Sequence, residues 1–218
     1  MAHFINIIRL HMPRYLDPKN DFTFKKIFGE HTNLLKSFLN AILPLPEDCF
    51  IESLAYLKSE NVPELPFFKS SIVDVRCIDN QGRHFIVEMQ LQWTKDFIKR
   101  MLFNTASTYV RQLGKGKNYQ HLSPVYGLAL IDANFTEEAS WFHHYRMTNA
   151  HDGGKNLDDI QIVLIELPKF KPTNIQDKRL TILWLRFLKE INENTQTVDP
   201  SFLEVEEIKE ALSLLEEA

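Results

Sequence analysis

Three polar residues, Asp74, Glu88 and Gln90, lie in two short strand-forming runs, 72–78 and 84–91. The segment between the runs contains asparagine and glycine, which are typical of a turn. A hairpin centred on this turn places Asp74 directly opposite Glu88, with Cβ atoms about 4.5–5.5 Å apart. Two carboxylates that close repel each other unless a proton or a cation lies between them.

Side-chain alternation divides the predicted hairpin into an apolar face and a polar face. The apolar face, which belongs in a core, carries Val73, Val75, Cys77, Phe85, Val87, Met89 and Leu91. The other face carries three isoleucines and a group of polar residues, Asp74, Arg76, His84, Glu88, Gln90 and Gln92. An antiparallel sheet with one solvated face shows the same alternation. An ordinary solvated face is not expected to place two acids opposite each other, because facing like charges destabilise the strand pair.

The arrangement resembles the PD-(D/E)XK nuclease superfamily, in which an Asp on one strand and a Glu-x-Lys on the next hold a divalent metal at the scissile phosphate. Within it, the chain is similar to the bacterial recombination-promoting nuclease and transposase family over roughly residues 15 to 215. The motifs that carry this resemblance are 15–29, 87–90, Phe97 with Arg100, 109–116 with Tyr119, and 165–170. The resemblance implies an α/β fold with a restriction-endonuclease-like mixed β-sheet core, and DNA as substrate.

The resemblance also implies that Asp74 and Glu88 bind Mg²⁺. Magnesium prefers oxygen ligands and keeps several waters, so two carboxylates and a substrate phosphate are enough. The bound ion would activate water and neutralise charge on the phosphate. Gln90 stands where the superfamily usually has lysine. A neutral amide is no general base and carries no positive charge, but it can orient the attacking water.

The opening motif adds one acidic residue and two lysines to the candidate site residues. Asp21 is a further catalytic candidate near the metal, and a helix N-cap is the alternative interpretation. Lys25 and Lys26 can approach phosphate, or they can line a solvated helix face.

Basic residues follow the hairpin closely. Residues 93–120 contain six lysines and arginines against the single acid Asp96. A helix is predicted here, with an apolar stripe made of Phe97, Ile98, Met101, Leu102, Thr105, Tyr109, Val110 and Leu113. The face away from this stripe carries Arg100, Asn104, Ser107 and Arg111. The residues predicted to bind the DNA backbone are Arg100, Arg111, Lys115 and Lys117. An ordinary solvated helix face is the alternative.

The overall composition is that of a globular protein, with 218 residues, 44% hydrophobic and 25% charged. The net charge of −4 argues mildly against a nucleic-acid partner. The acidic surplus, however, collects after Asp199 and leaves the basic segment intact. Two cysteines without metal or redox spacing fit a reducing, cytoplasmic compartment. We expect no membrane association, because no segment approaches the length of a bilayer span.

The order of helical and strand patterns along the chain predicts a mixed α/β sheet flanked by helices. A continuous apolar run at 125–131 predicts a central strand that is covered on both faces. We expect a nuclease-like core over residues 1–171 and a helical C-terminal extension over 172–218, with a last helix beginning near Ser201. A truncated chain, and a homodimer formed through the C-terminal helices, are left open.

Two functions are compatible with this sequence. The leading hypothesis is a Mg²⁺-dependent DNA endonuclease that hydrolyses phosphodiester bonds and is associated with mobile elements and recombination. The alternative is a catalytically inactive mobile-element remnant that binds DNA or protein. Net acidity and the amide at Gln90 favour the alternative, and Mg²⁺-dependent cleavage distinguishes the two.

Overall fold

The structure, a computed structural model, describes residues 14–57, 60–61, 71–72, 74–92, 94–114, 116, 118–151, 153, 155–172 and 179–216. Within these residues, six strands form one mixed sheet in the order β1-β4-β5-β6-β8-β7, and β2 and β3 form an antiparallel ribbon. The strands are β1 (Leu54–Tyr56), β2 (Glu60–Asn61), β3 (Ser71–Ile72), β4 (Val75–Asp79), β5 (His84–Gln90), β6 (Val125–Ile131), β7 (Phe142–Thr148) and β8 (Asn156–Glu166).

Helices cover both faces of the sheet. The α-helices of the described residues are α1 (Asp21–Glu30), α2 (Thr32–Ile42), α3 (Phe97–Val110), α4 (Arg179–Glu190) and α5 (Glu206–Leu215). The main core lies between one sheet face and α1, α2, α4 and α5, whereas α3 packs alone on the opposite face. The predicted α/β fold, a mixed sheet flanked by helices, is confirmed. No helix in the described part of the chain is long and apolar enough to span a bilayer.

Aromatic side chains join the early and late helices of the main core. The ring of Phe28 on α1 lies 4.8 Å from that of Phe38 on α2 and 5.5 Å from that of Trp184 on α4, measured between centroids. Helices on both sides of residue 171 thus share one core. The division into a core and a C-terminal extension stays a prediction.

The hairpin has the register that its turn and alternation predict. Val75 lies opposite Val87, and Ile78 lies opposite His84. Strand β4 begins at Val75, later than predicted, and the same register brings Asp74 level with Glu88. Residue 73, predicted to lie on the apolar face, is outside the described residues.

Buried hydrogen bonds hold the turn of this hairpin. The Oδ1 atom of Asp79 accepts from the backbone N–H groups of Gln81 and Arg83, both at 2.9 Å. The Arg83 guanidinium donates to Asp79 Oδ2 at 2.7 Å. Gly82 has φ +80°, which a side chain rarely tolerates. These contacts leave little freedom for a shifted register.

Strand β6 is buried at every residue, as predicted for a central strand. It runs parallel to β5 and β8, so the carboxyl ends of all three strands meet at one edge of the sheet. Gln90, Ile131 and Glu166 are level at that edge. The candidate site therefore lies at the carboxyl end of parallel strands.

The orientation of α3 differs from the prediction. Asn104 was expected on the solvent face, but it is fully buried against the sheet. Leu102 and Val110 were expected in the apolar stripe, but they are 51% and 69% exposed. The helix instead buries Phe97 and Met101 together with polar residues, because the strand face beneath it carries the buried acid Glu88.

The last helix also begins later than predicted. Residues Pro200–Glu204 form a short 3₁₀ helix, and the Asp199 carboxylate accepts from the backbone N–H of Ser201 at 2.9 Å. Val205 is extended, and α5 begins at Glu206. A 3₁₀ helix therefore stands where the last helix was predicted to begin, and the α-helix follows it, because a proline after a capping acid also starts a 3₁₀ turn.

Close packing at Gly127 sets the height of α3 above the sheet. A Cβ atom at Gly127 would lie 2.6 Å from Thr105 Oγ1 and 3.0 Å from Met101 Sδ, so these side chains or α3 itself would have to shift. We expect Gly127→Ala to lower the free energy of unfolding by about 1–3 kcal/mol, measured by urea denaturation.

Gly29→Ala is the matched control for this substitution. Its Cβ would meet Lys25 at 3.8 Å and Val75 at 3.9 Å, which are ordinary contacts. Alanine also favours a helix more than glycine does. An equal loss of stability in the two variants would contradict tight packing at Gly127.

Candidate metal centre

Asp74 lies at the entrance to β4 with one carboxylate oxygen held inside the protein. Its Oδ2 atom accepts from the backbone N–H of Met89 at 2.7 Å. Its Oδ1 atom lies 3.5 Å from Lys25 Nζ on α1, and its side chain is 18% exposed. The outer oxygen thus faces a cation at a loose distance, whereas the inner oxygen is firmly bonded.

Glu88 repeats this division on the neighbouring strand. Its Oε1 atom accepts from the side-chain amide of Asn104 at 2.8 Å. Its Oε2 atom lies 3.4 Å from the Arg100 guanidinium, and its side chain is 5% exposed. Each carboxylate therefore has one oxygen in a short hydrogen bond and one in a longer contact with a cation.

Burial dominates the electrostatics of the two acids. Burial raises the pKa of Asp74, against the Met89 N–H bond and the charge of Lys25. Burial also raises the pKa of Glu88, against Asn104 and Arg100, and the Asp74 charge raises it further. A carboxyl group with a raised pKa favours the folded state at acid pH and loses that advantage as the pH rises through its folded value. At neutral pH a further cation between the acids would therefore be favourable.

The donor set fits Mg²⁺. The outer oxygens of Asp74 and Glu88 are hard carboxylate donors, which Mg²⁺ prefers, and their hydrogen-bonded inner oxygens fix their orientation. Within the described residues, no three His, Cys, Asp or Glu side chains are grouped to hold a metal. A two-carboxylate site would leave the other coordination positions to water and substrate phosphate.

Gln90 and Arg100 form a pair beside the acids. The Arg100 guanidinium donates to Gln90 Oε1 at 2.8 Å, and Gln90 Nε2 donates to the backbone carbonyl of Gln92 at 2.7 Å. Arg100 also lies over the ring of Phe97, 5.0 Å from its centroid, and its side chain is 48% exposed. Arg100 therefore brings a positive charge to the site, and about half of its side chain stays open to solvent.

Asp21 lies beside this site without capping its helix. Asn20 is the N-cap of α1, and its side chain accepts from the backbone N–H of Phe22 at 3.2 Å. Asp21 binds Lys25 Nζ at 2.8 Å, and this bond lowers the pKa of Asp21. The pKa of Asp74, raised mainly by burial, is raised further by the charge of Asp21. The structure thus joins Asp21, Lys25 and Asp74 in one cluster.

The remaining predicted DNA-binding residues lie farther along the chain. Arg111 follows the last turn of α3 and is exposed. Burial lowers the pKa of Arg76 on the hairpin, and the charge of Arg111 lowers it further. Lys115 and Lys117 lie outside the described residues. The structure brings Arg100 to the acids, and Arg111 lies one α3 length away.

Sequence reasoning named Asn104 and Lys25 but did not predict that they contact the acids. The spacing of Phe97, Met101, Asn104 and Thr108 is as helical as the predicted apolar stripe, but two of these residues are polar. Lys25 was considered only for phosphate or solvent, and its i,i+4 partner Asp21 was the available signal.

A second polar cluster was also missed at the carboxyl end of β8. The fully buried Glu166 carboxylate contacts Lys169 Nζ at 2.8 Å and His143 Nε2 at 2.9 Å. It also accepts from Thr136 Oγ1 at 2.6 Å and from the Phe135 backbone N–H at 2.8 Å. This cluster ties the loop after β6 to the sheet edge. The i,i+3 spacing of Glu166 and Lys169 was its signal in the sequence.

Comparison with protein families identifies the relatives of this chain. The sequence model of a family described as PD-(D/E)XK nuclease family transposase matches residues 18–218. No curated protein and no solved structure matches the chain. The matched span includes Asp74, Glu88 and Gln90 and nearly all of the described fold. The chain therefore belongs to the PD-(D/E)XK nuclease family transposases.

Proposed function

We propose that this protein is a Mg²⁺-dependent endonuclease that hydrolyses DNA phosphodiester bonds. The observation that carries the proposal is the pair of buried acids, Asp74 and Glu88. They are level across the hairpin, Asp74 just before β4 and Glu88 on β5, and each has one oxygen bonded internally and one turned toward a cation. Burying two facing carboxylates costs stability, and a metal site gives a reason to retain them.

Asp74 and Glu88 would hold the ion, which when bound supplies Lewis acidity and an activated water. The Met89 N–H group and Asn104 keep the two carboxylates oriented. Gln90 is the proposed group that orients water, and the Arg100 guanidinium bonded to it adds positive charge on the side of the phosphate. Asp21 contributes as a third carboxylate, bonded to Lys25 beside Asp74.

DNA binding is proposed through the phosphate backbone rather than the bases. Arg100 and Arg111 lie at the two ends of α3, and Lys115 and Lys117 follow in the chain. Lysine and arginine contacts to phosphate carry no sequence information and weaken as salt rises. We propose that the protein acts in the cytoplasm, in association with mobile elements or recombination. A homodimer is the proposed form for cutting both DNA strands.

The second candidate function is a catalytically inactive module that binds DNA or protein. The observation in its favour is that both ends of the Gln90 amide are bonded, to Arg100 and to Gln92. An amide so held is a weaker substitute for a catalytic lysine.

Cleavage of supercoiled plasmid DNA tests the proposal. We expect wild type to nick the plasmid with Mg²⁺ and to stop when EDTA is added. Asp74→Ala should lose at least about 100-fold in rate, because the ion loses a ligand. DNA binding without cleavage by wild type in Mg²⁺ would favour the inactive module instead.

A further inference from the structure

We propose that Lys25 is a catalytic residue of this nuclease and that its ammonium group contacts the reacting phosphate. The inference rests on the proposed function and deepens it. A phosphodiester gains negative charge on its non-bridging oxygens as water attacks, so a fixed positive charge at that point accelerates the reaction. The structure offers this charge from α1, outside the strands that carry the acids.

The position of Lys25 is the first argument. Its Nζ atom lies 3.5 Å from Oδ1 of Asp74, the outer oxygen that would bind the ion. The side chain is 39% exposed, so a phosphate bound at the same ion can reach it from solvent. A group within reach of a metal ligand and open to solvent is placed to touch a metal-bound phosphate.

The second argument is that Lys25 is held in place. Asp21, one helical turn earlier, binds Lys25 Nζ at 2.8 Å. The helix itself is anchored by Phe24 and Phe28, which are fully buried, and by Gly29, which packs near Val75 at the start of β4. Lys25 can exchange Asp74 for phosphate and keep its contact with Asp21, which lowers the entropy cost of the exchange.

The third argument is that Lys25 differs from its neighbour. Lys26 Nζ donates to the backbone carbonyl of Leu214 near the end of α5, at 3.1 Å and away from the acids. Consecutive helical residues point about 100° apart, so only one of the two lysines can face the site. The opening motif thus places one lysine at the acids and the other at the end of a helix.

The proposed step is hydrolysis with Lys25 as an electrostatic contact. The oxygen of water bonds to phosphorus, and the ester bond to one sugar oxygen breaks. That oxygen leaves with the bonding electron pair and takes up a proton, while the attacking water loses its proton to solvent. The products are a phosphate monoester and an alcohol. Lys25 keeps its own protons throughout.

The test compares three variants in the plasmid-cleavage assay at saturating DNA and Mg²⁺. We expect Lys25→Met to cleave about 100-fold more slowly than wild type. Lys25→Arg should cleave only about tenfold more slowly than wild type. Lys26→Met, the matched control, should cleave like wild type. The Mg²⁺ concentration for half-maximal rate should not rise in Lys25→Met, because removing a nearby positive charge does not weaken cation binding. Circular dichroism melts establish that each variant is folded, which we expect since exposed ion pairs contribute little stability.

Three outcomes would overturn the role of Lys25 alone while wild type still cleaves. They are a Lys25→Met variant as fast as Lys26→Met, a Lys25→Met rate fully restored by Mg²⁺ above the concentration that saturates wild type, and a Lys25→Arg variant as slow as Lys25→Met. The second would mean that Lys25 only shapes the metal site. A wild type that does not cleave overturns the proposed function, and this inference with it.

Discussion

Replacing Glu88 by glutamine is expected to lower Mg²⁺-dependent DNA cleavage by at least about 100-fold. Glutamine keeps the size of Glu88 and can still accept the hydrogen bond from Asn104. It has no negative charge for the ion, and its amide NH₂ would face the guanidinium of Arg100, which is also a donor. The rate is measured on supercoiled plasmid at saturating Mg²⁺.

The same variant should be at least as stable as wild type when Mg²⁺ is absent. Burial raises the pKa of Glu88, so its charge at neutral pH is a cost to folding. Its removal should add up to about 1 kcal/mol to the free energy of unfolding in urea. Added Mg²⁺ should then stabilise wild type and leave Glu88→Gln unchanged, because only a folded site that binds the ion is stabilised by it.

Glu47→Gln is the matched control for the loss of a carboxylate. Glu47 is exposed in the loop before β1. The Arg83 guanidinium at the hairpin turn donates to two backbone carbonyls of this loop, those of Cys49 and Phe50. That turn is at the opposite end of β5 from Glu88. We expect Glu47→Gln to cleave like wild type. If Glu88→Gln were as fast as Glu47→Gln, the metal site at Glu88 would be wrong.

Replacing Glu166 by glutamine is expected to lower the free energy of unfolding by about 3 kcal/mol at neutral pH. Burial alone would raise the pKa of Glu166, but the bonds from Lys169, Thr136, the Phe135 N–H and His143 outweigh it and lower the pKa to about 2. The amide loses this charge and leaves the half-buried Lys169 without its carboxylate partner. Urea denaturation measures the loss.

The sign of the pH dependence follows from this lowered pKa. Glu166 contributes its stability above the ordinary pKa of about 4.5 and loses it as the pH falls toward about 2. The difference between wild type and Glu166→Gln should therefore shrink as the pH is lowered through this range. A difference that is constant from neutral pH to about pH 3 would contradict the assignment.

Asp158→Asn is the matched control on the same strand. Asp158 lies 3.5 Å from Arg146 on β7, and both side chains are about half exposed, at 52% and 42%. A surface ion pair of this kind contributes roughly 0–1 kcal/mol. We expect Asp158→Asn to lower the free energy of unfolding by less than about 1 kcal/mol. A larger decrease in Glu166→Gln would then be due to the burial of its carboxylate and not to the loss of a charge alone.

The hairpin was predictable because its determinants are local. Alternation set which residues face the core, and the turn before Arg83 set the register, so Asp74 could be placed level with Glu88. A slip of one residue would move every apolar side chain of β5 to the wrong face. Strand β6 was predictable for a similar reason, since a run of seven apolar residues suits a strand that is buried on both faces.

The orientation of α3 was not predictable from its own residues. Two faces of the helix satisfy helical spacing, and hydrophobicity favours the one with Leu102 and Val110. The helix buries Asn104 instead, because Glu88 on the strand below needs a hydrogen-bond donor and Gly127 allows close approach. Neither condition is visible within residues 97–110.

The order of residues alone thus specifies the two acids, their shared face and their register, because turn chemistry and side-chain period act over a few neighbouring positions. It also carries the motifs that relate the chain to a nuclease family. Only the folded chain decides which groups meet the acids: Lys25 from α1, and Asn104 and Arg100 from α3. These contacts join elements that are distant in the chain, and core packing around Phe28 and Gly127 sets their geometry.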